Sequence, residues 1–168
     1  MSLSVLIAGD YCPRARVAKA IEDDNYSAVL SSVKDITGQF DFCFVNMECA
    51  VASNDNKLLK CGPNLNTTEK GVDALRWAGF DCVTLANNHT LDYGEVGLLR
   101  TINKCQSVGI NTVGAGSNLL EAEKVLYLNG NEKTLWFHDR ILRHPLFWNL
   151  TKATAGMFYF YIVTIHLV

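Results

Sequence analysis

Apolar blocks alternate with amphipathic stretches along most of this chain. The blocks at residues 3–8, 42–45, 80–85 and 110–113 show little polar alternation, as is typical of strands buried on both faces of a parallel sheet. A later block at residues 124–128 predicts one further strand. The pattern therefore predicts at least five strands separated by other structure.

Helical periodicity occupies the segments between these blocks. We predict helices over residues 14–22, 26–36, 66–79, 92–109 and 117–123. Two of them begin with capping-type sequences, Asn66-Thr67-Thr68-Glu69 in one and Asp92 with Glu95 in the other. Alternation of strands and helices indicates repeated βαβ units, so the fold class is α/β with a parallel sheet and right-handed crossovers.

Polar side chains stand where three of the predicted strands end. Asp10 follows the first block, Glu48 follows the second, and Asn88 with His89 follows the third. Ligands of open parallel sheets bind beyond the carboxyl ends of the strands. We therefore expect these side chains to meet at one edge of the sheet.

The residue types at this edge favour metal chemistry. Hard divalent cations take carboxylate and amide oxygens, so Asp10, Glu48 and Asn88 are candidate metal ligands. His89 would then act as a general acid or donate a hydrogen bond to a phosphoryl oxygen. The alternative is that each polar residue only ends its strand or caps a turn, but three consecutive strand ends favour the metal site.

Composition narrows the function classes. The chain has 168 residues, of which 49% are hydrophobic, and this size predicts one core. Its 15 basic and 17 acidic residues give a net charge of −2, which argues against a nucleic-acid partner or a polybasic membrane surface. The amino terminus lacks a cationic leader, so we expect a cytoplasmic protein. The apolar run at residues 157–168 is shorter than the roughly 20 residues that span a bilayer, which predicts a buried strand and no transmembrane segment.

The six cysteines predict free thiols. None forms a Cys-x-x-Cys pair, and Cys43 and Cys82 lie inside apolar blocks, where a free cysteine behaves as a small buried hydrophobe. A disulfide framework is typical of short secreted chains, so we expect reduced structural cysteines instead.

Several motifs together resemble a known family. They are Gly9-Asp10, Asn46-Met47-Glu48, Leu85-Ala86-Asn87-Asn88-His89 with Asp92-Tyr93-Gly94, and Gly114-Ala115-Gly116 with Glu121-Ala122. In this combination, over roughly residues 3–125, the chain is similar to the poly-γ-glutamate capsule-synthesis (CapA-like) family, which has a calcineurin-like metallophosphatase fold. The Asn-Asn-His sequence followed by Asp-Tyr-Gly is the specific part of the resemblance.

The resemblance implies roles for individual residues. Asp10, Glu48 and Asn88 would ligate divalent metal ions, with manganese, zinc, iron and magnesium not distinguished, and His89 would be the catalytic or phosphate-contacting histidine. Pocket-lining positions would be Asn46, Asn87, Gly62 and Pro63. The implied activity is metal-dependent phosphoesterase-type hydrolysis, and the implied substrate is small and either phosphorylated or related to polyglutamate.

The chain also departs from the family pattern. Metallophosphatases commonly have a histidine two residues after the first aspartate, where this chain has Cys12. Of the later family histidines only His166 resembles one, as a candidate late ligand. We expect residues 1–130 to form the first half of a four-layer sandwich, and residues 131–168 to be an unassigned, truncated or frame-disrupted end with the second sheet missing or fragmentary.

Two other functions compete with the hydrolase interpretation. The first is a non-catalytic fragment or binding subunit that retains half of the metal site. The second is a nucleotide-binding domain, which the sequence disfavours because Gly114-Ala115-Gly116 lacks the third glycine of a dinucleotide fingerprint and comes late in the predicted sheet.

Overall fold

The computed structural model describes residues 3–53, 56–130, 133–138 and 164–167. The strands are β1 (Val5–Tyr11), β2 (Phe42–Met47), β3 (Ala50–Val51), β4 (Asn66–Thr67), β5 (Cys82–Thr84), β6 (Asn111–Val113), β7 (Leu126–Gly130), β8 (Lys133–His138) and β9 (Thr164–Leu167). The helices are α1 (Ala15–Glu22), α2 (Ser27–Thr37), α3 (Glu69–Trp77), α4 (Gly94–Ser107) and α5 (Leu119–Ala122).

A parallel sheet forms the centre of the described structure. Its strand order is β1-β2-β5-β6, and every neighbouring pair is parallel. The predicted α/β fold with a parallel sheet is confirmed. Strand β2 extends to Met47, beyond its apolar block, because Asn46 is in register with Asp10 on one side and with Thr84 on the other.

The two faces of the parallel sheet pack against different layers. Val45 and Val83 face the helices and share a core with Leu75 of α3. Phe44, which has the opposite parity in β2, packs on the other face with Leu128 of β7. The sheet therefore lies between a helical layer and the start of a second sheet, which explains why its strands carry apolar side chains on both faces.

The second sheet contains three described strands in the order β7-β8-β9, paired antiparallel. The sequence predicted a missing or fragmentary second sheet, and the described residues contain these three strands, of which β8 and β9 lie in the segment that the sequence left unassigned. In the backbone register His166 lies opposite Trp136. Of the predicted strand over residues 157–168, only β9 falls within the described residues.

A small parallel pair, β3 with β4, was not predicted. Ala50 and Ala52 donate backbone hydrogen bonds to the carbonyls of Leu65 and Thr67 at 3.2 and 3.1 Å. These bonds hold residues 66–67 in an extended conformation, so the predicted capping-type start of a helix at Asn66 is wrong. Helix α3 begins only at Glu69, and no side chain caps it.

The structure also bears on two predictions made from composition, which concern the cysteines and membrane-spanning segments. All six cysteines are free, and Cys43 and Cys82 are buried as predicted. No helix among the described residues combines the length and apolar character needed to cross a membrane.

Candidate functional site

Three neighbouring strands deliver the predicted site residues to one edge. Asp10 lies near the end of β1, Glu48 follows β2 directly, and Asn88 and His89 follow β5. Because these strands are adjacent and parallel, their carboxyl ends meet at the same edge of the sheet. The structure thus brings the segments that carry Asp10, Glu48 and Asn88 to one edge, and the convergence of their side chains on a metal ion stays a prediction.

A bulge in β1 determines which way Asp10 faces. Ile7 is in register with Phe44, but Asp10 rather than Gly9 is in register with Asn46, so three steps in β1 match two in β2. A regular ladder would place Asp10 opposite Met47, which is fully buried in the core on the helix side. The bulge instead gives Asp10 the same orientation as Asn46, as bulges beside functional sites commonly do.

Hydrogen bonds connect the three strand ends. The Asn46 Nδ2 group donates to Asp10 Oδ1 at 2.7 Å. The Oδ1 atom of Asn46 in turn accepts from the Thr84 hydroxyl at 3.2 Å and from Asn87 Nδ2 at 3.1 Å. Asn87 Nδ2 also donates to the carbonyl oxygen of Met47 at 2.9 Å. Asn46 and Asn87 were predicted to line a pocket, and the structure gives them contacts that fix the positions of neighbouring strands.

The histidine that follows β5 is held by a buried carboxylate. His89 Nδ1 lies 2.7 Å from Asp92 Oδ2, and the two side chains are only 11% and 1% exposed. Asp92 also accepts from the Leu65 amide at 2.7 Å and from the Lys60 ammonium group. A carboxylate accepts only, so the His89 nitrogen facing it carries a proton, which leaves Nε2 as the ring nitrogen available to a ligand.

Asp92 does not cap a helix, contrary to the sequence prediction. Helix α4 begins at Gly94 after Tyr93, and no side chain caps its first turn. The carboxylate instead turns toward the loop before β4, where its Oδ2 accepts from the Leu65 amide and its Oδ1 from Lys60. The Lys60 ammonium group adds an ion pair that a helix amide would not supply.

The remaining predicted residues lie around this network. Asn88 is exposed and Glu48 is partly buried, and the Glu48 amide donates to the Tyr11 carbonyl at 3.0 Å. Gly62 and Pro63 lie in the exposed loop before β4, where Gly62 adopts a φ of 101°. His166 lies in β9 of the antiparallel sheet, and its side chain is outside the described part, so its role stays a prediction.

Cys12 occupies the position two residues after Asp10, and it contacts a second thiol. The side chains of Cys12 and Cys49 hydrogen-bond to each other, which lowers the pKa of Cys12 and raises the pKa of Cys49. Burial raises the pKa of Cys49 further, while the nearby Arg14 charge lowers that of Cys12. Cys12 is partly exposed and Cys49 is buried.

The donors at this edge fit a hard cation in chemistry but supply only part of a ligand set. Asp10, Glu48 and Asn88 offer two carboxylates and one amide oxygen, the donors that magnesium and manganese prefer. Within the described ranges, no three His, Cys, Asp or Glu side chains are grouped so as to hold one ion. Asn88 and water would therefore have to complete any site built on Asp10 and Glu48.

Sequence reasoning missed the part played by Lys60. This lysine stands between exposed Leu59 and exposed Cys61, and nothing in that local pattern indicates a contact with Asp92. Thr84 was also missed, because a threonine inside a strand is ordinary. The one usable signal was Asp92 itself, three residues after His89, which the sequence assigned to a helix start.

One protein family and several relatives match this chain in sequence. The family described as Bacterial capsule synthesis protein PGA_cap matches residues 4–139. A capsule biosynthesis protein CapA of Bacillus anthracis is 30% identical over 160 residues, covering 92% of this chain and 38% of the relative. A PGA biosynthesis protein CapA of Bacillus subtilis is 29% identical over 123 residues, covering 73% of this chain and 32% of the relative.

A shorter match has a different name. A probable polyglutamine synthesis accessory protein of Mycobacterium tuberculosis is 32% identical over 94 residues, which cover 55% of this chain and 25% of that protein. The chain spans about a third of the length of the two CapA relatives. The family match extends over most of the chain and includes all three strand ends of the candidate site. This chain therefore belongs to the bacterial capsule synthesis PGA_cap family, the CapA-like family that its motifs resemble.

Proposed function

We propose that this chain contributes part of a divalent-metal phosphoesterase site that acts in poly-γ-glutamate capsule synthesis. The observation that carries the proposal is the continuous set of contacts from Asp10 through Asn46 and Asn87 to the segment bearing Asn88 and His89. Such contacts hold oxygen donors and a histidine on one rim, which is the arrangement that metal-assisted hydrolysis requires.

Each residue has a distinct task in this proposal. Asp10, Glu48 and Asn88 hold the cation, and Asn46 keeps the Asp10 carboxylate oriented through its 2.7 Å hydrogen bond. When bound, a divalent cation supplies polarisation of a phosphoryl oxygen and a nucleophilic water. Within the described residues Asn46 is the single hydrogen-bonding partner of the Asp10 side chain, so Oδ2 is available to the cation.

His89 is suited to handle the leaving group. Its Nδ1 faces Asp92 at 2.7 Å, so the ring orientation is fixed and Nε2 is left for the substrate. A histidine oriented in this way donates a proton or a hydrogen bond to a developing oxyanion. The substrate class is a small phosphorylated or polyglutamate-related molecule.

The experiment compares metal binding and hydrolysis in matched variants. Equilibrium dialysis with Mn²⁺ and hydrolysis of p-nitrophenyl phosphate are measured for the chain, for Asp10→Ala and for Asp35→Ala. Asp35 is an exposed acid on α2, so this control removes the same charge away from the site. We expect Asp10→Ala alone to lose both Mn²⁺ binding and phosphate-ester hydrolysis. Equal Mn²⁺ binding in all three proteins would refute the metal site.

The same data test the second candidate function. A binding subunit is favoured by the absence, among the described residues, of three grouped acidic, histidine or cysteine side chains. Binding of Mn²⁺ that depends on Asp10, without any phosphate-ester hydrolysis, would select this function over the hydrolase.

A further inference from the structure

The ends of β1 and β2 bring two cysteines together. Tyr11 is in register with Met47, and the Glu48 amide continues the ladder by donating to the Tyr11 carbonyl at 3.0 Å. Cys12 and Cys49 are the residues that follow Tyr11 and Glu48 in the chain. Because neighbouring strands lie about 4.8 Å apart, the two cysteines are close neighbours at this edge, one position out of register.

The side chains of these cysteines meet as well. The Cys49 thiol donates to the carbonyl oxygen of Tyr11 at 3.6 Å, and the carbon of that carbonyl forms the peptide bond with Cys12. The two side chains also interact, since their mutual influence lowers the pKa of Cys12 and raises that of Cys49. No third His, Cys, Asp or Glu side chain in the described part of the chain joins a group able to hold a metal. A disulfide therefore fits this pair of cysteines better than a metal–thiolate centre.

We propose that Cys12 and Cys49 are a redox modification site that forms a reversible disulfide with a small-molecule disulfide as oxidant. This proposal is independent of metal binding at the neighbouring carboxylates. Cys12 is partly exposed and Cys49 is buried, whereas Cys61 is exposed and Cys43, Cys82 and Cys105 are buried.

The exposure of the two thiols sets the order of the exchange. Cys12 is the partly exposed member, so its sulfur attacks oxidised glutathione, forms a mixed disulfide and releases one glutathione thiolate. The buried Cys49 sulfur then attacks Cys12 Sγ, loses its proton and releases the second glutathione. Two protein thiols and one glutathione disulfide thus yield one protein disulfide and two glutathione thiols.

A bond at this position would join the segments that bear Asp10 and Glu48. Each cysteine lies within two residues of one of these carboxylates. Oxidation would therefore fix the separation of the two strand ends, and reduction would release it. In reducing compartments disulfides of this kind are usually transient and sense redox conditions.

Disulfide mapping tests the proposal in the intact chain. The protein is incubated with oxidised glutathione, its free thiols are counted after denaturation, and unreduced peptides are identified by mass spectrometry. We expect two of the six thiols to disappear, a cross-linked peptide pair containing Cys12 and Cys49, and full recovery of both thiols with dithiothreitol.

Matched variants make the result decisive. Cys61→Ser should form the same cross-link, whereas Cys49→Ser should stop at a mixed disulfide between Cys12 and glutathione. Retention of both thiols in the unsubstituted protein, or a stable glutathione adduct on Cys12 beside a free Cys49, would overturn the proposal. So would a cross-link from Cys12 to Cys61.

Discussion

Asn46 Nδ2 donates a hydrogen bond to Asp10 Oδ1 across 2.7 Å, between the ends of two adjacent parallel strands. The same asparagine accepts from Thr84 and Asn87. Its amide is therefore oriented by the third strand and in turn orients the first. A residue expected to line a pocket thus connects all three of the strand ends that carry the candidate site.

Removal of this amide should weaken metal binding without unfolding the protein. In Asn46→Ala the Asp10 carboxylate loses its fixed orientation, and we expect Mn²⁺ affinity to fall about 10- to 100-fold, as when partners of metal ligands are lost. Titration calorimetry measures the change. Asn103→Ala, at an exposed position on α4, is the control, and equal affinities in the two variants would contradict the prediction.

Loss of the Asp92 carboxylate should destabilise the loop before β4. Asp92 is 1% exposed and accepts from the buried Leu65 amide at 2.7 Å. Asp92→Ala leaves that amide without its acceptor, so we expect the free energy of unfolding to fall by about 1–3 kcal/mol. Urea denaturation is the measurement, with Asp35→Ala for comparison. A decrease no larger than that of the control would show that the contact contributes little.

Gly71 should not tolerate a side chain. It lies in the first turn of α3, and a methyl group there would come within 2.9 Å of Thr67 Cγ2 and still closer to the Thr67 hydroxyl. Thr67 is held in β4 by its pairing with Val51, so we expect Gly71→Ala to cost about 1–3 kcal/mol of stability. Thermal and urea unfolding measure this loss. Gly9→Ala, where nothing lies within 4 Å, should unfold almost like the parent protein.

The start of the parallel sheet should be sensitive to acid through Asp41. The backbone amide and hydroxyl of Ser4 both donate to Asp41 Oδ2 at 2.7 Å, and these bonds hold the pKa of Asp41 below its ordinary value of 3.8. A carboxyl group whose pKa is lower in the folded state stabilises the fold at pH values above the pKa that it has in the unfolded chain. That contribution disappears as the pH falls through the folded pKa.

Asp41→Asn isolates this effect. We expect the variant to be less stable than the parent at about pH 7, and the difference to shrink at about pH 3, on the acid side of the ordinary aspartate value of 3.8. Urea denaturation at both pH values measures it, with Asp35→Asn as the matched exposed control. A difference that stays constant with pH would mean that the Ser4 contacts do not depend on the charge.

The sequence allowed prediction of the parallel sheet because its strands are apolar on both faces. Phe44 and Val45 pack on opposite faces. A strand that is apolar on both faces is typical of a parallel sheet covered by a layer on each side. The two-residue strands β3 and β4 escaped prediction since they are too short for any periodic pattern. Their pairing depends on backbone contacts with partners 16 positions apart, such as Ala50 with Asn66.

Within the candidate site, strand-end positions could be predicted but side-chain partners could not. Asp10 and Asn88 follow apolar blocks, and the end of a block is visible in the sequence. Asp92 was assigned to a helix start by its spacing from Glu95, whereas its partners Leu65 and Lys60 come from a distant loop. Local spacing says nothing about such contacts, because they depend on how the chain packs.

The bulge between Ile7 and Asp10 has a consequence for the comparison of related chains. Three steps in β1 match two in β2 at this point, so β1 holds one residue more than a regular ladder needs. A relative that lacks a residue here could keep its aspartate opposite the same asparagine by forming an uninterrupted strand. A deletion of one residue before this aspartate is therefore compatible with an unchanged rim, and alignments should allow a gap there.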